Sequence, residues 1–139
     1  MVRSSYINKH SLYFQPGKSH KDILWTIHLA VSNGQFCALD IKDYSYISNK
    51  TSITHRPDYY DIRAISYVEV IAGIIQLAEQ EQNPKIKVFL YRHALIEARH
   101  FLGLYRNRVG DKSEVKIFFK ANIPFASLVR GISWLRILV

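Results

Sequence analysis

Two long stretches of this chain repeat apolar residues at steps of three and four, with only a few polar residues between them. In the first, Tyr60, Ala64, Tyr67, Ile71, Ile74 and Ala78 are spaced 4, 3, 4, 3, 4. In the second, Val88, Tyr91, Leu95, Ala98, Leu102, Tyr105 and Val109 are spaced 3, 4, 3, 4, 3, 4. An α-helix turns once in about 3.6 residues, so each set lines one face of a helix. Pro57 suits the first position of the earlier helix, residues 80–83 form a polar break, and Pro84 opens the later one. Two long amphipathic helices on so short a link fold back as an antiparallel hairpin.

The rest of the chain reads as additions to that hairpin. Residues 1–18 form an irregular leader with a turn at Pro16-Gly17. Ser19 and Asp22 resemble a capping box, followed by a helix through Ile23, Trp25, Ile27 and Val31 that stops at Asn33-Gly34. Cys37, Leu39 and Ile41 alternate with polar or small residues, which predicts a short extended segment within residues 35–48. Residues 49–56 are polar and loop-like. Gly110 ends the second long helix, and Asp111 with Glu114 resembles another capping box before Val115, Ile117, Phe118 and Phe119. Pro124 starts a last helix in which Phe125, Leu128, Ile132, Leu135 and Val139 are spaced 3, 4, 3, 4. The expected fold is mainly α: one domain over residues 1–139, an antiparallel bundle of four to five helices. The apolar end of that bundle, Trp134, Leu135, Ile137 and Leu138, is expected to pack in the core or against another protein subunit.

Charge narrows the class of partner. The chain has 139 residues, 48% of them hydrophobic, enough for a core and too apolar for a disordered tail. Its net charge is +8. Residues 85–136 hold eleven Lys and Arg against Glu97, Asp111 and Glu114, so they carry the whole excess; residues 1–84 balance. A basic excess gathered in one half points to a polyanion. Cys37 is the one cysteine, which excludes an internal disulfide and fits a reducing, cytoplasmic setting. No apolar run reaches the roughly 18 residues of a membrane span. In the last helix Arg130 and Arg136 are six apart and form no single polar stripe, so a membrane partner is not expected.

Within the basic half, Lys85, Arg92, Arg99 and Arg106 recur every seven residues. Seven residues are nearly two helical turns, so the row drifts by only about 20° per step. Its members sit roughly 10 Å apart. If Val88 and Tyr91 start the a and d positions of a heptad, the row falls at e, beside the packed seam. His93 and His100 then fall at f, facing outward, and Lys87 and Arg108 at g. Arg donates two hydrogen bonds at once to a phosphate, and His adds a donor or a stacking face. The candidate nucleic-acid contacts are therefore Lys85, Lys87, Arg92, His93, Arg99, His100, Arg106 and Arg108. Either DNA or RNA fits. Tyr44, Tyr46, Tyr59 and Tyr60 bracket a loop with Lys50, His55 and Arg56, a mixture suited to single strands. The alternative for the row is an adaptor edge that docks an acidic protein.

Enzyme signatures are missing from the sequence. It holds no Gly-rich phosphate loop and no nucleophile elbow. Cys37 has no second cysteine for a zinc site, and His93 and His100 are too far apart to bind one metal from a single helical turn. No metal and no cofactor is expected. Helical ribonucleases of the HEPN group place His four to six residues after Arg; here His100 follows Arg92 by eight and His93 by one, and Arg3 and His10, with six residues between them, fall in the leader, which is expected to be non-helical.

A compact basic bundle of this length, with the row Lys85, Arg92, Arg99 and Arg106 on an antiparallel pair and the apolar stretch from Trp134 to Val139, resembles the small subunits of CRISPR interference complexes. The resemblance covers general architecture rather than a motif, and an extended segment near 35–48 departs from it. It implies a non-catalytic role in antiviral defence. Copies of such a bundle line a ribonucleoprotein and touch the guide–target duplex or the displaced strand without reading sequence. The partners implied are nucleic acid and other protein subunits, copies of the same chain among them.

Overall fold

The computed structural model describes residues 2–14, 16, 19–37, 40–41, 44–45 and 55–135, the side chains of Lys21 and 131–135 aside. These residues form six helices and no strand: α1 (Ser4–His10), α2 (Lys21–Val31), α3 (Tyr59–Gln80), α4 (Pro84–Asn107), α5 (Lys112–Asn122) and α6 (Phe125–Leu135). The chain is a mainly α bundle, with six helices where four or five were expected.

The hairpin is present as α3 and α4. Along α3 the seam from Ala64 to Ala78 is buried, with Ile71 and Ile74 wholly out of solvent. Each such aliphatic side chain stabilises the fold by about 1.5–3 kcal/mol. The exception is Tyr60, the outermost member, which is 37% exposed. Glu81 turns extended and ends α3. Asn83 then caps α4 by accepting a hydrogen bond from the Lys85 amide at 3.0 Å, with Pro84 in the first turn, where no intrahelical donor is lost. α3 is the central element, packed against α2, α4 and α5, while α6 packs along α4. At Gly73 a Cβ would lie 2.7 Å from Leu24 Cδ2, so the bare backbone there lets α2 seat its leucine on α3.

Several local expectations are corrected. The leader contains α1, too short at seven residues to show a period, and it is tethered rather than loose. The Tyr6 hydroxyl donates to the Ser32 carbonyl at 2.8 Å, and Trp25 Nε1 donates to the Leu12 carbonyl at 3.1 Å. α2 has no capping box: His20 is its N-cap in the left-handed region (φ 55°), and Ser19 Oγ lies 2.6 Å from His20 Nδ1. Pro57 precedes α3 by a turn, where Arg56 and Asp58 pair at 3.1 Å. At α5 Asp111 does cap, accepting from the Ser113 and Glu114 amides at 3.1 and 3.0 Å. Residues 35–37, 40–41 and 44–45 form no strand, and the rest of that segment lies outside the described residues. Phe36, Ile41 and Tyr44 are more than 60% exposed; alternation without a neighbouring strand has nothing to pair with. In α6 Phe125 is 77% exposed, and it is Ser127 that is buried, donating to Glu79 Oε1 at 3.0 Å.

Candidate nucleic-acid interface

The basic row occupies the outer face of α4. Its buried residues are Leu90, Tyr91, Ala94, Glu97, Ala98 and Phe101. At about 100° per residue, Lys85, Arg92, Arg99 and Arg106 lie roughly 150° round from the middle of that arc. All four are exposed. The heptad phase drawn from the sequence is therefore wrong by about one position: Leu102, given to the seam, is 45% exposed, and the row stands opposite the packed face rather than beside it. Apolar residues cover so much of the α4 circumference that more than one phase fits the spacing.

Among the described residues no carboxylate pairs with Lys85, Arg92, Arg99 or Arg106. The reason is local. Glu97, the only acid in α4, is buried and turned away, with His93 Nε2 and His100 Nδ1 each 3.5 Å from its oxygens. His93 and His100 are thus not free outward groups, although His100 keeps 57% of its side chain exposed. Lys87 is half-buried; Arg108 is exposed, with its guanidinium 5.5 Å over the Tyr60 ring. The carboxyl end of α4 gains another cation, since Lys112 Nζ donates to the Arg106 carbonyl at 3.2 Å. Exposed apolar residues flank the row: Phe89 (47%) and Ile96 (42%), with the Phe89 ring 5.9 Å from that of His93.

Tyr44 is 82% exposed, whereas Tyr46 and Lys50 lie outside the described residues. Tyr59 and Tyr60 stand instead at the start of α3, beside a residue that the reading of charge rows passed over. Arg63 is the only Lys or Arg of α3. Its Cζ lies 5.8 Å from the Tyr59 ring and 5.6 Å from the Tyr67 ring, and its terminal nitrogens donate to both hydroxyls at 3.4 Å. The Tyr67 hydroxyl, above all, holds this guanidinium in its charged form. A lone Arg four residues from a Tyr on each side was the sequence signal for it. Beside it, the His20 ring lies 4.7 Å from Tyr67 and its pKa is lowered by burial first and Arg63 second, against Asp22 and Glu97.

Of the expected protein interface, Trp134 and Leu135 lie in the last turn of α6 with their side chains outside the description, and Ile137 and Leu138 lie outside the described residues. No helix among the described residues is long and apolar enough to cross a membrane, and none of them group as three or more potential metal ligands. Comparison with protein-family models, with curated proteins and with solved structures finds no match, so the function has to be argued from this geometry.

Proposed function

We propose that this chain is a non-catalytic, sequence-independent nucleic-acid-binding subunit of a larger assembly, contacting phosphates through the outer face of α4. One observation carries the reading: four exposed cations at regular steps along a 24-residue helix, opposite its packed face and without a carboxylate partner among the described residues. A solvated helix face ordinarily mixes both signs; this one leaves its charge for something else to neutralise. Regular steps of roughly 10 Å suit a partner whose charge also repeats. Phe89 beside the row offers a base a surface to stack on. The resemblance to small subunits of CRISPR interference complexes belongs to the same proposal and makes the larger assembly a guided ribonucleoprotein.

The test is a salt titration of duplex and single-strand binding. On duplex DNA each phosphate contact contributes about 0.9 to the log–log slope. Replacing Arg92, Arg99 and Arg106 by Glu should flatten the slope by roughly 2–3 and abolish binding at physiological salt, with helicity unchanged. Binding equal to that of the parent refutes the reading. The exposed Phe89, Ile96 and Leu102 favour a second one, an adaptor that docks an acidic protein. A flat slope with nucleic acid beside tight, salt-sensitive binding to a protein would establish it. Turnover of labelled RNA that disappears in His93→Ala or His100→Ala would show a ribonuclease instead.

A further inference from the structure

The basic face of α4 leads into a cleft of about 690 Å³ between the first turns of α3 and the last turns of α4. That volume falls in the range of small-ligand sites. Its walls are cationic and aromatic: Arg63, Tyr60 and Tyr67 from α3, Arg99, His100 and Arg108 from α4. Arg99 belongs to the row as well, so the row and the cleft are continuous.

Three features set this cleft apart from a surface that is merely charged. First, its arginines lack acids. No carboxylate pairs with Arg63, Arg99 or Arg108 among the described residues. Two acids of these helices are engaged elsewhere: Glu97 with His93 and His100, and Asp61 with the amides of Gly110 and Asp111 at 2.8 and 3.3 Å. Second, Arg63 is under-satisfied. Its Nε is buried with no acceptor, and its two bonds to tyrosine hydroxyls, at 3.4 Å, are long. A guanidinium clamped between two rings and short of acceptors is preorganised for an oxyanion. Third, the Tyr60 ring, 37% exposed, stands at the rim with the Arg108 guanidinium 5.5 Å over it, so a phosphate that draws Arg108 away uncovers an aromatic face. At Gly103, which lines the cleft, an added Cβ would meet nothing within 4 Å, so the α4 backbone there is open to an incoming group.

We infer that this cleft binds a nucleoside monophosphate unit, its phosphate on Arg63, Arg99 and Arg108 and its base on Tyr60. The inference rests on the proposed backbone contact by α4 for its preferred source of that unit, the phosphorylated end of a strand tracked along the row. A free mononucleotide has the same chemistry and is the other source. Neither the row alone nor a docked acidic protein calls for three arginines on one open cleft beside an aromatic ring.

Gly103 supplies the test, because a larger side chain there starts in open space and projects into the cleft without changing charge. Fluorescence anisotropy with the full chain compares one oligonucleotide carrying a phosphate at its 5′ or 3′ end with the same strand ending in hydroxyls. One phosphorylated end should bind about tenfold tighter, the scale of charge-assisted hydrogen bonds gained. Gly103→Leu should erase that preference while leaving the hydroxyl-ended strand and the helicity unchanged; Gly103→Ala should keep it. Calorimetry with AMP alone separates the sources. Heat that Gly103→Leu removes means that free mononucleotide is taken too, and no heat beside an intact end preference means that the strand end is the ligand. Equal binding of all ends with no heat from AMP overturns the inference, as does an end preference that survives Gly103→Leu. The backbone reading fails separately, if Arg92→Glu with Arg106→Glu, neither lining the cleft, leaves hydroxyl-ended binding unchanged. If no strand binds at all, AMP alone decides.

Discussion

α3 and α4 are nearly the same length, lie side by side and were legible from the same spacing, yet they do opposite things. α3 has neighbours on several sides and buries nine residues; α4 buries six and turns a cationic face outward. The single basic residue of α3 is clasped by two tyrosines, whereas the row on α4 has no carboxylate partner among the described residues. One helix holds the fold and the other presents charge from it. A rigid central helix keeps the steps of the row fixed.

The comparison makes stability and binding separable. Ile71→Ala removes a fully buried side chain at the centre of α3, where neighbours on several sides leave little room to collapse. It should cost about 2–5 kcal/mol in urea unfolding and leave the affinity of the folded fraction alone. Arg99→Ala, on an exposed side chain with no carboxylate partner among the described residues, should stay within about 0.5 kcal/mol and weaken binding. Equal destabilisation by the two would dissolve the distinction between scaffold and presenting face.

Smaller effects are expected where the two helices are fastened at the open end of the hairpin. Asp61, in the first turn of α3, accepts from the Gly110 and Asp111 amides just beyond α4. Asp61→Ala removes two hydrogen bonds to a charged acceptor from exposed amides that water can then reach, and should cost roughly 1–2 kcal/mol. Asp111→Ala removes only the cap of α5 and should cost about 1 kcal/mol. If Asp111→Ala proves the more damaging in thermal unfolding, the corner is held by its helix cap and not by its tie to α3.

The hairpin was readable because Ile71, Ile74 and Ala78 admit only one face as core. The phase of α4 was not, since Val88, Phe89, Leu95, Ile96 and Leu102 surround an arc whose buried members include two alanines and a glutamate. Periodicity marks apolar identity, and here burial followed the neighbours that α4 happens to have. The row was found by its spacing and its exposure was not, for the same reason. Arg63 escaped because a single cation makes no row; its meaning lies in two tyrosines one turn away on either side and in α4 residues some forty positions distant. The described residues of segment 35–48 form no strand: alternation records a preference, and only a partner strand turns it into a sheet.

The smallest expected effect concerns the histidines on the α2 side of α3. Burial lowers the pKa of both His20 and His28, and Arg63 lowers that of His20 further. A base with a folded pKa below its unfolded value, about 6.5, is held neutral by the fold. The unfolded chain therefore takes up protons first as pH falls. Stability should be complete above about pH 6.5 and decline below it, until each folded-state histidine protonates and the loss levels off. Glu97 and Asp22 oppose the lowering at His20, while burial alone lowers His28, so the two variants separate a site coupled to α4 from one that is not. Asn tolerates the left-handed conformation that His20 adopts, so His20→Asn removes the titrating ring without adding backbone strain. Its midpoint of thermal unfolding should fall less than the parent's between pH 7.5 and 5.5, and His20→Asn with His28→Gln less again. Parallel decline in parent and double variant would show that the acid sensitivity does not come from the two buried histidines of the scaffold.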